Sequence, residues 1–137
     1  MRTEKIIRVY TASKISQAPL WKRLQTEWPE IEFTARWVVH HAGHTPDEGY
    51  YAQIFWQQDH EDIIKSDALM LYGESGEKLR GGLVEAGMAL ALGKPVVVVG
   101  SHDDYGTWQY HRGVHRVPGL NEARMLLNVM SVGSARA

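Results

Sequence analysis

The sequence contains no cysteine and no long apolar run, and each absence excludes a class of protein. With no cysteine among 137 residues, the chain has no disulfide bonds, no thiolate metal site and no cysteine nucleophile. No apolar run reaches the roughly 20 residues of a membrane-spanning helix. The first residues, MRTEKIIRVYTAS, lack the apolar region of a signal peptide. We therefore expect a cytoplasmic protein that does not insert into a membrane.

An excess of charge of one sign is also missing. Fifteen Lys and Arg stand against 16 Asp and Glu, a net charge of −1, so the composition does not indicate nucleic-acid binding. The length fits a single domain over residues 1–137. Five Trp and six Tyr outnumber two Phe. These rings suit flat ligands or interfaces, although they serve equally well as ordinary core residues.

The hydrophobic pattern alternates between strands and helices along the chain. Apolar, β-branched segments predict strands at Lys5–Ala12, Ile31–Val39, Ala68–Tyr72 and Pro95–Gly100, with a short edge strand at Gly113–Val117. Apolar residues at helical spacing predict helices at Ser16–Trp28, Tyr50–Lys65, Leu83–Leu92 and Leu120–Met130. The segments rich in Gly, Pro and acidic residues, His40–Gly49 and Gly73–Gly82, are predicted to be loops.

This order predicts an α/β fold, a flavodoxin-like or Rossmann-like parallel sheet of about five strands with helices on both faces. In such sheets the ligand lies at the carboxyl ends of the strands, where the strand order reverses. Four segments are then expected to meet in one crevice: Tyr10–Lys14, His40–Gly49, Gly73–Glu85 and Gly100–Trp108.

Two carboxylates occupy positions where apolar side chains are expected. Glu85 falls in the first turn of the predicted third helix, at the rim of an otherwise apolar segment, where the helix dipole favours the ionised form. Such a carboxylate can act as a nucleophile or base, or it can simply complement the dipole. Asp59 lies four residues after Phe55 and four before Ile63, on the helix stripe that should face the sheet. The alternative for Asp59 is a helix register misplaced by one residue.

The residues just before Glu85 are suited to an anion. Gly81 and Gly82 allow a ligand to approach the backbone closely, and their amides can hold an anion at the start of a helix. Arg80 can add a guanidinium contact, although an arginine at this place is also typical of a solvated loop.

Three segments of the sequence resemble the nucleoside 2-deoxyribosyltransferase family and its nucleotide N-glycosidase relatives. They are RVYTAS, DHEDIIKSDALMLY and GGLVEAGMALALGKPVVVVG, in the family's order and spanning most of residues 5–100. The last resembles the family's glycine-rich turn, catalytic glutamate, small-residue helix and GKPV strand. The resemblance implies cleavage or transfer at the N-glycosidic bond of a (deoxy)nucleoside or nucleoside 5′-monophosphate. It also implies a small-molecule substrate, no cofactor, and a homo-oligomer.

The same resemblance assigns roles to individual residues. Glu85 resembles the nucleophile that attacks the anomeric carbon, Asp59 the aspartate that contacts the base or assists proton transfer, and Tyr10 the tyrosine that lines the sugar site. Apart from these three, we predict that Ser13, Trp37, Arg80, Gly81 and Gly82 bind the substrate. Trp56 and Trp108 are alternatives to Trp37 for stacking on the base.

The sequence also departs from the family. The Asp-x-Gly-Thr turn that usually precedes the glutamate is replaced by the sequence Leu79–Gly82, and no resemblance extends beyond Gly100. A C-terminal tyrosine that some transferases present to a neighbouring subunit is absent as well. A non-catalytic nucleotide-binding or sensing module on the same fold therefore stays an alternative. A phospho-signalling domain is disfavoured because VYTAS and LMLY do not end in carboxylates. Hydrolysis and transfer both fit the sequence, with or without a 5′-phosphate.

A cluster of histidines raises the question of a metal. His40, His41 and His44 form the HHAGH segment, but it contains Gly43 and precedes Pro46, so the imidazoles do not share a helix face. Neither a cysteine nor a carboxylate completes a known zinc motif there. We expect a polar loop that lines the crevice or lies on the surface, and no metal site.

Overall fold

The computed structural model describes residues 6–40, 49–74, 76–100 and 105–136. Within these ranges five parallel strands form one sheet in the order β2-β1-β3-β4-β5. The strands are β1 (Ile7–Ala12), β2 (Ile31–Phe33), β3 (Ala68–Tyr72), β4 (Val96–Val99) and β5 (Val114–Val117). This order is that of flavodoxin-like folds, and it confirms the predicted fold class. The short edge strand expected near residue 114 is β5.

The helices lie close to the predicted ranges, with differences at their ends. They are α1 (Ala18–Glu27), α2 (Trp37–His40), α3 (Gly49–Lys65), α4 (Arg80–Ala91) and α5 (Leu120–Arg136). Short 3-10 helices at Ile15–Gln17 and Thr107–Tyr110 precede α1 and β5. Proline in the first turn of α1 favours a helix start there, because its fixed φ is helical and it lacks an amide hydrogen that would be unpaired anyway. Among the described helices none is long and apolar enough to cross a membrane.

Helices cover both faces of the sheet. Successive side chains of a strand point to opposite faces. In β3, a Cβ added at Gly82 of α4 would meet the Leu71 side chain, whereas the next residue, Tyr72, packs edge-on against Trp21 of α1 at 5.6 Å between ring centroids. The core lies between these layers, and the central strands β3 and β4 are buried along almost their whole length, as strands covered on two faces should be.

The second predicted strand ends earlier than the sequence indicated. The apolar run Ile31–Val39 was expected to be one strand, but only Ile31–Phe33 pair with the sheet, and Trp37–His40 form a helical turn. The chain turns at Arg36, whose backbone N–H donates to Oδ2 of Asp62 on α3 (2.9 Å) and whose Nε donates to Oδ1 of the same carboxylate (2.8 Å). This tertiary contact overrides the β propensity of the residues that follow.

Helix α4 begins three residues before its predicted start and is not a wholly buried helix. Arg80, Gly81 and Gly82, expected in a loop, form its first turn. Val84 on its outer side is 52% exposed, because α4 lies in an outer layer of the fold with one side towards β3 and the other towards solvent. The prediction of a buried helix is wrong for that outer side.

Two basic residues anchor other segments to the sheet. Lys94, in the turn before β4, donates through Nζ to the carbonyl oxygen of Ile63 in the last turn of α3 (2.9 Å). Arg124 of α5 forms a two-pronged ion pair with Glu30, next to the start of β2, with Nε to Oε2 at 2.6 Å and Nη2 to Oε1 at 2.9 Å. The first contact fixes the end of α3 next to the start of β4, and the second fixes α5 next to the start of β2.

Candidate functional site

A cavity of about 690 Å³ opens beside the carboxyl ends of β1 and β3. Those two strands flank the point where the strand order reverses, which is where ligands bind in sheets of this kind. Seven of the eight sequence-predicted site residues line the cavity: Ser13, Trp37, Asp59, Arg80, Gly81, Gly82 and Glu85. The other lining residues are Lys14, Ile15, Ala52, Phe55, Trp56, Gly76, Lys78 and Leu79.

The eighth predicted residue, Tyr10, reaches the cavity through Glu85. The Tyr10 side chain is fully buried in β1, and its hydroxyl donates a hydrogen bond to Oε2 of Glu85 on α4. Burial, followed by the charges of the neighbouring carboxylates, raises the pKa of Tyr10 far above its ordinary value, so the phenol keeps its proton. Tyr10 is therefore a permanent hydrogen-bond donor to Glu85 and does not face the cavity itself.

The expected cause of the Glu85 charge is wrong. Glu85 is the sixth residue of α4, in the second turn rather than the first, so the free amides of the helix start lie a turn away. Only 6% of Glu85 is exposed. Burial first, and then the charge of Asp59, raise the pKa of Glu85 to about 8, against which the hydrogen bond from Tyr10 acts. The free protein therefore favours a protonated Glu85 at neutral pH, whereas the sequence predicted an ionised one.

Asp59 lies on the buried face of α3, as the sequence stripe predicted, and it lines the cavity. Burial and then the charge of Asp62 raise the pKa of Asp59 to about 7, while the nearby Tyr10 hydroxyl and the Arg36 charge lower it. Asp59 and Glu85 thus form a pair of carboxyls whose pKa values are both raised to near neutral pH. Groups with such pKa values are found where proton transfer is needed.

The start of α4 supplies groups suited to an anion. The first helical hydrogen bond runs from the Leu83 amide to the Leu79 carbonyl oxygen (3.1 Å), so the amides of Arg80, Gly81 and Gly82 precede it. The cationic side chains that line the cavity are Lys14, Lys78 and Arg80. At 1.5 Å per residue, Arg80 lies about 7.5 Å before Glu85 along the helix axis.

The two glycines at this helix start have different packing. A Cβ on Gly82 would lie 2.9 Å from Cδ1 of Leu71, so the close approach of α4 to β3 requires glycine there. A Cβ on Gly81 would lie 3.7 Å from the Trp56 ring, which is ordinary contact. Gly82 is needed for packing, whereas the space at Gly81 belongs to the cavity.

Aromatic rings form part of the cavity wall. Trp56 is 38% exposed and lies opposite Gly81, which leaves a ring face available to a flat ligand. Trp37 is 5% exposed, and its indole N–H donates to the carbonyl oxygen of Thr11 (2.8 Å), so it is a fixed part of the wall. Trp108, the third candidate, does not line the cavity, and its indole donates to the Tyr105 carbonyl oxygen (2.5 Å).

Ser13 lines the cavity with its hydroxyl already engaged. Its Oγ accepts from the indole N–H of Trp21 (2.8 Å) and donates to the carbonyl oxygen of Lys14 (3.1 Å). The residue shapes the turn after β1, and a ligand would have to compete with the Lys14 carbonyl for its proton.

The salt bridge between Arg36 and Asp62 was not identified from the sequence. Asp62 is 2% exposed and lies three residues after Asp59 on α3. The sequence did contain a signal for Asp62, because an acidic residue three positions after Asp59 lies on the same face of α3. Its partner, Arg36, could not be found by spacing, because it comes from another part of the chain.

The structure gives no support for a metal at the described residues. Within 6–40, 49–74, 76–100 and 105–136, no three His, Asp or Glu side chains come together in an arrangement that could hold a metal ion. His41 and His44 of the HHAGH segment lie outside the described residues, as does most of the loop predicted at His40–Gly49.

Comparison with solved structures supports the fold. The chain is similar to a CMP N-glycosidase, BcmB, from Clostridium botulinum, with 20% identity over 91% of this chain and 98% of that chain and a TM-score of 0.53. It also matches a 3-dehydroquinate dehydratase-like protein from Bifidobacterium longum, with 15% identity over 91% and 95% of the two chains and a TM-score of 0.45. The sequence matches no protein-family model and no curated protein. At 20% identity, the first likeness establishes a shared fold.

Proposed function

We propose that the protein cleaves the N-glycosidic bond of a nucleoside 5′-monophosphate, with Glu85 as nucleophile. The observation that carries the proposal is the hydrogen bond from the buried Tyr10 hydroxyl to Glu85 in a cavity that also contains Asp59. A carboxylate on one side of a sugar and a carboxyl that can donate a proton are the two groups that glycosidic cleavage needs. One solved structure of similar fold is that of a CMP N-glycosidase, which agrees with this chemistry.

The reaction proceeds in two displacements. A carboxylate oxygen of Glu85 forms a bond to the anomeric carbon as the bond from that carbon to the base nitrogen breaks. The electron pair of the broken bond goes to the base, which takes a proton from Asp59. Water then attacks the anomeric carbon, and the bond from that carbon to Glu85 breaks. One proton of the water passes to Asp59, which is thereby restored to its carboxyl form. An acceptor base in place of water would give transfer instead of hydrolysis.

The reactive form needs one proton on the carboxyl pair. Asp59 must carry it and Glu85 must be ionised. The form in which Glu85 is protonated and Asp59 is ionised carries the same number of protons. Transfer of one proton between the two carboxyls therefore gives the reactive form, and no proton has to enter or leave the cavity. The hydrogen bond from Tyr10 favours the ionised Glu85, and positive charge developing on the sugar favours it further.

The remaining lining fits the other two parts of a nucleotide. The exposed ring of Trp56 can stack on a base. The amides at the start of α4, with Arg80, Lys14 and Lys78, can hold a phosphate at a distance from Glu85 comparable to that between the anomeric carbon and the 5′-phosphate.

The direct test incubates the protein with a panel of nucleosides and nucleoside 5′-monophosphates, with and without an acceptor base, and separates the products by chromatography. We expect release of free base from at least one 5′-monophosphate by the native protein, and none by Glu85→Gln, which keeps the shape and removes the charge. Binding without cleavage across the panel would contradict the proposal and favour a nucleotide-binding module.

A trapping experiment identifies the nucleophile itself. A 2-fluoro-2-deoxyribosyl substrate slows breakdown of the covalent intermediate, because the fluorine destabilises the positively charged transition state. The native protein should gain the mass of one sugar phosphate on the peptide that contains Glu85. Labelling of a different peptide would assign the attack to another residue.

A further inference from the structure

The salt bridge between Arg36 and the buried carboxylate of Asp62 lies one helical turn from the proposed acid. Asp62 follows Asp59 by three residues on α3, so the two side chains share one face of the helix, with about 5–6 Å between their Cβ atoms. Both are buried, with 7% of Asp59 and 2% of Asp62 exposed. Solvent screens a charge at this depth much less than it screens a charge at the surface.

Arg36 fixes the position of the Asp62 carboxylate. Its backbone N–H and its Nε donate to the two oxygens of that carboxylate, at 2.9 and 2.8 Å. Its Nη2 donates to Glu61 Oε1 (2.9 Å) and to the Gln58 carbonyl oxygen (3.3 Å). The guanidinium is thus directed along the α3 segment that carries Asp59, and it holds Asp62 in a single geometry.

We propose that the Arg36–Asp62 salt bridge is a positioning pair for Asp59: it holds a fixed negative charge one helical turn from the Asp59 carboxyl and so favours the protonated form of that carboxyl. Neither residue lines the cavity, so neither contacts the substrate. The consequence for turnover rests on the proposed function, in which Asp59 donates the proton to the leaving base.

Charges from several elements act on Asp59, and the salt bridge contributes two of them with opposite signs. The nearby hydroxyl of Tyr10 on β1 favours the carboxylate, and the Arg36 charge acts in the same direction. Asp62 of α3 acts against them. Glu85 of α4 is the other carboxyl of the pair, and its own pKa is raised by the charge of Asp59. Lys14, Lys78 and Arg80 line the same cavity.

The test measures the pKa of Asp59 directly in the full-length protein. Aspartates labelled with ¹³C at the carboxyl carbon are followed by NMR across pH 4–10, and the Asp59 signal is assigned by its loss in Asp59→Asn. Asp62→Asn removes the negative charge nearest Asp59 and leaves Arg36 paired with Glu61 alone, so the pKa of Asp59 should fall by about one pH unit or more. Arg36→Gln removes the positive charge, so the pKa of Asp59 should rise.

The pKa of Asp59 should move in opposite directions when Asp62 and Arg36 are replaced, and this difference separates an effect of charge from an effect of a loosened structure. Loosening would admit water and move the pKa of Asp59 down, towards its ordinary value of 3.8, in both variants. The matched control is Asp67→Asn. Asp67 accepts a hydrogen bond from the backbone N–H of Arg8 (2.9 Å) and forms an ion pair with the Arg8 guanidinium, but it does not line the cavity. It should leave the pKa of Asp59 unchanged. An unchanged pKa in Asp62→Asn, or a fall in both charge variants, would overturn the proposal.

A double variant keeps the test decisive if a single variant does not fold. In Arg36→Gln/Asp62→Asn the two amides can pair with each other, and the larger effect, that of Asp62, is lost together with the smaller one of Arg36. The pKa of Asp59 should then fall by less than in Asp62→Asn. No change in the double variant would overturn the proposal.

The kinetic consequence is measured separately. If Asp59 is the acid, the alkaline limb of the kcat/KM profile should move to lower pH in Asp62→Asn, because the proton is lost from Asp59 at a lower pH. A shifted pKa in a protein without glycosidase activity would keep the positioning pair and refute the proposed function. An unshifted pKa of Asp59 in an enzyme that does cleave the substrate would refute the positioning pair and keep the proposed function.

Discussion

The hydroxyl of Tyr10 donates a hydrogen bond to Oε2 of Glu85, which joins the interior strand β1 to the helix α4 at the reversal point of the sheet. The two residues are 75 positions apart in the sequence, and both are buried. A carboxyl that would otherwise be costly to bury thereby has a fixed donor. This contact gives Glu85 a defined orientation before any substrate binds.

Replacement of Glu85 should stabilise the fold, and the gain should depend on pH. The pKa of Glu85 is raised in the folded state from an ordinary 4.5 to about 8. The unfolded chain loses the proton near pH 4.5 while the folded chain retains it, so the stability that comes with this proton is lost as pH rises from 4.5 to 8. Glu85→Gln removes that loss and still accepts the Tyr10 hydrogen bond. Its Tm should match the native value near pH 4 and exceed it increasingly up to pH 8. A Tm below the native value at pH 8 would mean that Glu85 serves mainly the helix.

Replacement of Asp59 should separate turnover from stability. Asp59→Asn is nearly isosteric but cannot donate and recover a carboxyl proton, so kcat for base release should fall by about 10²–10⁴-fold. Because burial also raises the pKa of Asp59, the variant should be at least as stable as the native protein at neutral pH. Kinetics and thermal melts on the same samples check both statements. Activity that declines only in proportion to a lower Tm would assign Asp59 a structural role.

The anion contacts at the start of α4 should discriminate nucleotides from nucleosides. A charge-assisted hydrogen bond contributes about 1.5–3 kcal/mol, so Arg80→Ala should weaken binding of a 5′-monophosphate by roughly 10-fold to 100-fold. Binding of the matching nucleoside should barely change. Isothermal titration calorimetry on both ligands measures the difference, and Arg23→Ala, which removes an exposed arginine paired with Glu27 on α1, is the control. Equal affinity of the native protein for both ligands would exclude the nucleotide preference.

Alanine at the two adjacent glycines of α4 should have opposite effects on stability. Gly82→Ala places a methyl group 2.9 Å from Leu71 Cδ1 in a buried position and should lower the free energy of unfolding by about 1–3 kcal/mol. Gly81→Ala makes only ordinary contact with Trp56 and removes a glycine from a helix, so it should raise that free energy by up to about 1 kcal/mol. Urea unfolding of the two variants provides the comparison. Similar losses in both would show that the backbone conformation, and not packing, requires glycine.

The protein should self-associate through the outer side of α3 and α4. Val84 and Leu92 in and after α4 and Ile64 on α3 are 52%, 45% and 51% exposed, and burying such apolar surface against a second copy of the chain would favour association. Sedimentation equilibrium at micromolar concentration should show a dimer or larger species, and Val84→Glu should weaken it. Ile6→Glu alters a residue that is 55% exposed just before the start of β1 and serves as the control. A native protein that sediments as a monomer would contradict this prediction.

The sequence by itself determined the α/β fold. The apolar strands and the amphipathic helices alternate with periods that hydrophobicity alone reveals, and β3 occupies the predicted residues, Ala68–Tyr72. General rules of connection also place the ligand site at the carboxyl ends of the strands, whereas the strand order itself came from the structure. Glu85 and Asp59 were identifiable because a carboxylate in an apolar stripe contradicts the local pattern, and a sequence shows such a contradiction directly.

Only the tertiary structure decided how those carboxyls behave. Local reasoning placed Glu85 at a helix start and predicted an ionised side chain, whereas burial and the neighbouring Asp59 favour the protonated form. The end of β2 at Phe33 and the helical turn at Trp37 depend on Asp62, which lies 26 residues after Arg36. The physical reason is the same in both cases. Solvation and the electrostatic field at a group are set by whatever the fold brings next to it, and neither hydrophobic periodicity nor propensity contains that information.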